Sequence, residues 1–483
     1  MDISIQNGII LKTKSIIAGL CLWVCTTTIQ AGDWWPVAMH QPDSARDTLS
    51  YVMRVSAIAG SGQHAPFLIQ TNGHGNISDA PFSGNITAGI YKRATRPSRW
   101  FDYDFGVVLT GRFDTERSTG YFNLLYAHTR LYIVDITAGI KPLICGSQNP
   151  ELSMGGLLFS GNAHPVPRIS IGIDEYIPFP GLFGYLEVKG GLSHGWFADN
   201  SRLDPSTGTR DALLHYKFIG IRVGGRLPVN LSYEFHHAAQ WGGTSPIRGT
   251  FSTSWDSFRH VFVAGAGGTT LSDQLNAEGN HIGFQELTLT AQWSQWRITA
   301  YWQTLFEDMS AKFIGFTNYT DGLWGLSIRQ SQWPFLHSFT YEFLNTTGQD
   351  GPWHDRDGLI YGGRSDYYTN SSYPQGWTHF GRTIGNPFMQ PDNNRVRVHL
   401  AGIAGDIYGF QYRLLASYAR NWGRYAKPKE SHNTALMLEV KKHVPQAWGL
   451  DFGIRLAADI GDQYGNRFGA MITVCKEGMI WEW

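Results

Sequence analysis

FLHSFTYEFLNTTGQDGPWHDRDGLIYGGRSDYYTNSSYPQGWTHFGRTIGNPFM, residues 335–389, sets two kinds of sequence back to back. Across Phe335, His337, Phe339, Tyr341 and Phe343 one face is mostly large aromatics, while Leu336, Ser338, Thr340, Glu342 and Leu344 form a smaller, more polar one. Period two marks a strand, because successive side chains leave a pleated backbone on opposite sides. Aromatics on one side and polar groups on the other suit a strand with lipid outside and water inside. From Asn345 to Asn394 the rhythm stops and Gly, Asn, Asp, Tyr, Trp and Arg take over. A loop of that length needs a function or tertiary support.

Working outward, the same alternation recurs in eighteen segments, the first near 51–59 and the last near 467–475. Their connections sort by parity. Tight turns fall at 94–97, 129–130, 178–181, 224–228, 294–296, 332–334, 405–407 and 443–447, and longer loops at 60–82, 141–166, 191–211, 238–280, 306–321 and 345–394. Short turns on one rim and long loops on the other, with an even strand count, are what a closed up-and-down transmembrane barrel requires. A secreted sandwich has no reason to sort its connections this way. The fold expected is therefore an all-β, antiparallel, 18-stranded outer-membrane barrel over 51–483, its lumen occluded by the long loops, chiefly 238–280 and 345–394.

Composition agrees. No segment beyond residue 31 carries 18 consecutive apolar residues, yet the chain has 18 Trp, 22 Tyr and 27 Phe. Residues 1–31 read as an export signal, with Lys12 and Lys14 before an apolar run from Ser15 to Val24 and Ala31 before the cut. Residues 32–50, with Pro36 and Pro42, read as a short periplasmic segment. The balance of 39 basic and 39 acidic residues argues against a nucleic-acid partner. Cys145 falls in an external loop and Cys475 near the opposite rim, a lipid band ~25 Å tall apart, whereas a disulfide needs Cα atoms within ~7 Å. Two unpaired thiols are expected.

Several local patterns imitate chemistry. Gly191-Leu192-Ser193-His194-Gly195 matches a nucleophile elbow, but that elbow needs a helix after the serine, and Trp196-Phe197-Ala198-Asp199-Asn200 reads as loop. His236 and His237 are adjacent on a strand, so they point to opposite faces and cannot chelate together. One of them, with Gln240 and Trp241, is expected at the lumen or loop base. Residues 254–264 could form a short helix in the external loop, whose plain structural role would be to fold inward as a constriction. No His or Cys cluster has zinc spacing and no phosphate-binding loop is present, so no metal or cofactor is expected.

The segments GLSHGWF (191–197), FHHAAQWGG (235–243), DGLWGLSIR (321–329), YEFLNTTGQDGPWHD (341–355) and GGRSDYYTNSSYPQGWTHFGRTIGNPF (362–388) resemble the Wzi family of capsule-assembly outer-membrane proteins. The resemblance implies an eighteen-stranded barrel acting as a surface lectin that holds capsular polysaccharide on the cell. It also implies a helical bundle closing the periplasmic end, for which this chain has little room before its first strand.

Sugar recognition has a physical argument of its own. Pyranose C–H faces pack on aromatic rings, hydroxyls need donors and acceptors, and acidic sugars offer carboxylates that Arg grips bidentately. In the 345–394 loop the candidate platforms are Trp353, Tyr361, Tyr367, Tyr368, Tyr373 and Trp377. Candidate hydroxyl partners are His354, Asp355, Asp357, Asp366, Asn370, Gln375 and Asn386, and candidate anion clamps Arg356, Arg364 and Arg382. The competing role for each is to bond its neighbours as a plug. A non-enzymatic lectin is the function expected, with capsular polysaccharide, outer-membrane lipid and the capsule export machinery as partner classes. The alternatives are a diffusion channel for sugars or small solutes, which needs an open lumen, and a barrel enzyme built on Ser193.

Overall fold

The computed structural model describes residues 47–93, 100–115, 117–268, 277–307, 320–349, 355–356, 359–360 and 363–483; the expected signal and most of the segment before the first strand lie outside them. Eighteen antiparallel strands form one sheet. They are β1 (Thr48–Gly60), β2 (Phe82–Lys92), β3 (Phe101–Asp114), β4 (Ser118–Leu131), β5 (Val134–Ile140) and β6 (Arg168–Pro178). Next come β7 (Leu186–Trp196), β8 (Leu213–Val223), β9 (Val229–Trp241), β10 (Asn280–Trp293), β11 (Trp296–Glu307) and β12 (Gly322–Gln330). The last are β13 (Ser338–Asn345), β14 (Val396–Ile407), β15 (Phe410–Gly423), β16 (Pro428–Val444), β17 (Leu450–Gly461) and β18 (Arg467–Glu482).

The sheet closes because β1 pairs with β2 on one side and with β18 on the other. Beside that seam Asp47 N donates to Trp483 O at 3.1 Å and Trp483 N to Asp47 O at 2.9 Å. With no water in a bilayer core to bond a bare strand edge, closure satisfies every row of backbone groups. The parity of the connections mostly holds, the exceptions being the short links 115–117, 424–427 and 462–466 on the long-loop rim. On one rim they run from the two residues Tyr132-Ile133 to 93–100, and on the other they include 61–81, 141–167, 197–212, 242–279, 308–321 and 346–395.

Several expected boundaries move. The strand expected from 335 begins at Ser338, because Pro334 opens a 3-10 turn over Pro334–Leu336 and His337 is still αR. The turn expected at 129–130 lies at Tyr132-Ile133, and that expected at 405–407 at Tyr408-Gly409, whose φ values of 54° and 76° suit a two-residue hairpin. Gly191–Gly195 belongs to the wall, since β7 runs on to Trp196.

Alternation fixes the two faces. Outward positions Ile403, Leu414, Leu438 and Leu456 sit in register across β14 to β17 and continue the apolar band. Trp100, Tyr132, Phe183, Trp293, Trp333, Tyr408, Trp448 and Trp481 stand exposed around the short-turn rim, as an interfacial aromatic belt does. Cys145 and Cys475 are both free.

Leu414→Arg, an outward change in the middle of that band, should lower the stability of the barrel refolded into lipid vesicles by about 2–4 kcal/mol. The shift in its urea midpoint measures this, and a midpoint unchanged within error would contradict the lipid-facing assignment.

Candidate functional site

Inside the barrel, inward-facing carboxylates hold a loop that descends through the lumen. Glu286 of β10 accepts from Ser147 Oγ at 2.6 Å and Gln303 Nε2 at 2.7 Å. Glu342 of β13 accepts from Ser153 Oγ at 2.6 Å and Met154 N at 2.7 Å, and also from Tyr301 Oη. The 141–167 loop starts at the long-loop rim, yet Asn149 donates to Ser327 and Ser338 Oγ at 3.0 and 2.9 Å, and Glu151 meets His337 of the opposite rim at 3.2 Å. Leu152, Met154, Leu157, Leu158 and Phe159 are buried along its course. A shorter insertion from 61–81 carries helix α1 (Phe67–Gln70), whose Phe67 N donates to Asp459 Oδ2 at 2.8 Å.

The 346–395 loop locks onto the descending one. Trp377 Nε1 donates to Leu158 O at 2.8 Å, Tyr368 Oη to Leu157 O, and Asn386 Nδ2 to Gly155 O at 2.7 Å. In return Ser160 Oγ donates to Gly385 O at 2.6 Å and Asn162 Nδ2 to Thr383 O at 2.9 Å. Tyr367 Oη reaches Asp321 at 3.2 Å, Tyr373 Oη reaches Gly242 O at 3.1 Å, and Arg382 donates to Gln70 O and Ile77 O at 2.9 and 2.6 Å. Asn370 accepts from Ser372 N, and Gln375 exchanges two bonds with the Thr209 backbone. Tyr367, Tyr368, Tyr373 and Trp377, four of the candidate platforms, are at most 1% exposed. Rings so enclosed cannot stack on a glycan from outside; their placement is that of a plug.

Other candidates fall elsewhere. Trp353, His354, Asp357 and Tyr361 lie outside the described residues, and Asp355-Arg356 pairs its backbone with Leu359-Ile360. Arg364 is exposed and stacks 5.4 Å over the Tyr425 ring, whose other neighbour is Arg395 at 3.8 Å. Asp366 takes the Arg424 guanidinium at 3.0–3.1 Å and Asn394 Nδ2 at 2.8 Å. Arg364, Arg395, Arg424 and Tyr425 thus form a cationic, aromatic patch at the mouth. Sequence reasoning found only Arg364 and Asp366 there. The signal for the others was position, since Arg395, Arg424 and Tyr425 flank strand ends on the long-loop rim.

His236 faces the lumen, bonded to Tyr216 Oη at 2.7 Å and Glu234 at 2.9 Å, and Gln240 donates to Gly376 O. His237 and Trp241 point outward. The expected short helix, α2 (Trp255–Val263), forms with Ser254 capping Ser257 N at 3.2 Å. Instead of folding inward it covers the outer wall, its Phe258 edging His194, His215 and Trp241. Polar residues on the outer face near the rim need such a cover, and Phe258 and Val261 supply it. Ser193 is a buried wall residue paired with Ser170 and Tyr216, with no helix after it. Among the described residues no group of three or more His, Cys, Asp or Glu could hold a metal ion.

A family model described as capsule assembly protein Wzi matches residues 68–458. Among solved structures, Wzi of Escherichia coli, described as an outer-membrane protein involved in group 1 capsule assembly and a carbohydrate-binding β-barrel, is 14% identical with a TM-score of 0.55. That match covers 88% of this chain and 84% of the other. Pseudomonas aeruginosa OprD is 12% identical, covering 93% of this chain and all of that one, with a TM-score of 0.46. OpdQ of the same organism is 10% identical over 90% and 99%, also at 0.46. No curated protein matches by sequence.

His379 gives the plug a pH dependence. It is fully buried, with Nδ1–H donating to His164 O at 2.8 Å and Nε2 accepting from Ala198 N at 3.3 Å, so both nitrogens are served by the neutral ring. Burial lowers its pKa to about 4, outweighing the His164 carbonyl, which favours the charged form. Because the folded value lies below the free one, this stability is complete above about pH 6.5 and is lost as the pH falls toward 4, on the order of 3 kcal/mol in all. Hydrogen exchange in 368–386, corrected for intrinsic rate, should therefore speed up between pH 7.5 and 5, and much less in His379→Asn. Equal acceleration in both proteins would exclude this histidine as the cause.

Proposed function

The chain belongs to the family of the capsule assembly protein Wzi, and on that footing we propose that it is a non-enzymatic, lectin-like barrel helping to assemble or attach capsular polysaccharide at a cell surface. In this reading it is exported by its N-terminal signal and sits in the outer membrane of a Gram-negative bacterium. The observation that carries the proposal is a lumen crossed from rim to rim by the 141–167 loop beneath a mouth of Arg364, Arg395, Arg424 and Tyr425. A diffusion channel needs an open path, and a loop bonded along the length of the lumen narrows it.

The patch offers what an acidic polysaccharide takes. Tyr425 offers a ring for pyranose C–H faces, and Arg364 and Arg395 beside it supply positive charge that suits carboxylates. The rigid plug beneath holds these groups in place, as a binding site on interlocked loops requires. Trp377 then acts as a support for the site and not as its platform. No catalytic step is assigned to Ser193, which sits in the wall without the turn a nucleophile needs.

Deleting the gene should move capsule from the cell-bound to the shed fraction; unchanged retention would remove the proposed function. Arg364→Ala combined with Tyr425→Ala should weaken binding of purified capsular polysaccharide by roughly tenfold, the scale of one charge-assisted hydrogen bond, while the barrel stays heat-modifiable on gels. Ser193→Ala should leave capsule retention at the wild-type level. Wild-type binding in the double variant would move the site elsewhere.

A further inference from the structure

A second cationic feature faces away from the mouth. Arg397 of β14 and Arg420 of β15 are direct cross-strand partners near the long-loop rim. Both are exposed, and they alternate with buried Val396, Val398, Ala419 and Asn421, so they stand on the outer wall. Their guanidinium carbons lie 5.7 and 5.1 Å from the Trp422 ring centroid. Like charges placed directly opposite each other destabilise a sheet unless something neutralises them. Among the described residues no carboxylate comes within 4.0 Å of either guanidinium, and Arg397 Nε has only a long 3.4 Å bond to Asn345 Oδ1. The charges near them on the outer face are His432, 3.1 Å from Asp462, and the exposed Glu430.

The rows beneath the pair run along the same wall. His399 and Tyr418 come next, then Ala401 with Ala416, Ile403 with Leu414, and Ile407 with Phe410. The order from rim to middle is cation, amphipathic ring, hydrocarbon. A ligand matching that order carries an anion at the top and acyl chains below. A soluble polysaccharide matches only the first part.

We propose that Arg397, Arg420 and Trp422 bind the phosphate of a phosphorylated glycolipid headgroup in the outer leaflet. The two planar forks take the phosphate oxygens bidentately. Trp422 packs on the headgroup sugar and the acyl chains lie along Leu414 and Ile403. The lipid neutralises an otherwise repelling pair and fixes the height of the barrel in the membrane. This inference rests on the barrel and not on the capsule reading, so it survives if the capsule reading fails.

The test uses the full-length barrel in phosphatidylcholine nanodiscs doped with lipid A carrying two, one or no phosphates. Wild type should bind the bisphosphorylated form about tenfold tighter than the dephosphorylated one, with a preference that falls as salt rises. The Arg397→Gln, Arg420→Gln double variant should lose that preference and keep its affinity for capsular polysaccharide. A wild-type protein that does not distinguish the lipids overturns the proposal before any variant is made. Loss of polysaccharide binding with the lipid preference intact overturns it too, and assigns the pair to the glycan.

Discussion

A bilayer core offers no hydrogen-bonding partner, and the rest of the molecule follows from that. Each strand must be paired on both sides, so the sheet has to return to its start, and β1 meets β18. Closure then divides every strand into a lipid side and a luminal side. The lipid side is settled by apolar rows such as Ile403, Leu414 and Leu438. The luminal side inherits the polar residues, and eighteen strands enclose a space too wide for wall side chains alone to fill.

How that space is filled decides what the barrel can do. Glu286 and Glu342 would be costly if left dry and unpaired, and each is met by several donors, two for each of them from the descending loop. Glu439 takes Arg455 at 3.2 Å and Arg413 beside it, and Arg455 in turn reaches Ile69 O of the α1 insertion. The polar interior therefore supplies sockets for the inserted loops. At the long-loop rim the interlocked loops end beside Arg364, Arg395, Arg424 and Tyr425.

The wall was legible in the sequence because its physics is periodic: all eighteen strands appear near their expected positions, and only turn boundaries slipped where alternation continues through a hairpin, as at Thr129-Arg130. The plug was less legible. Tyr367, Tyr368, Tyr373 and Trp377 stood out by type, but an aromatic and polar loop has the same composition whether it faces a glycan or fills a lumen. Two placements also had signals in the sequence. An external loop carrying Leu152, Met154, Leu157, Leu158 and Phe159 cannot stay in water, so 141–167 had to descend. The amphipathic α2 helix, beside outward-facing His194, His215 and His237, had a polar wall to cover and no need to enter the pore.

The locking of 141–167 by 346–395 also ties together parts of the chain that are far apart in sequence. Ser160 and Gly385 bond across 225 residues, and Trp377 and Leu158 across 219. The descending loop follows the fifth strand in the chain and its clasp follows the thirteenth, so the lock can close only between segments on distant parts of the wall. Contacts so distant in sequence make for slow maturation, and they make the last third of the chain the bolt on a door hung by the first.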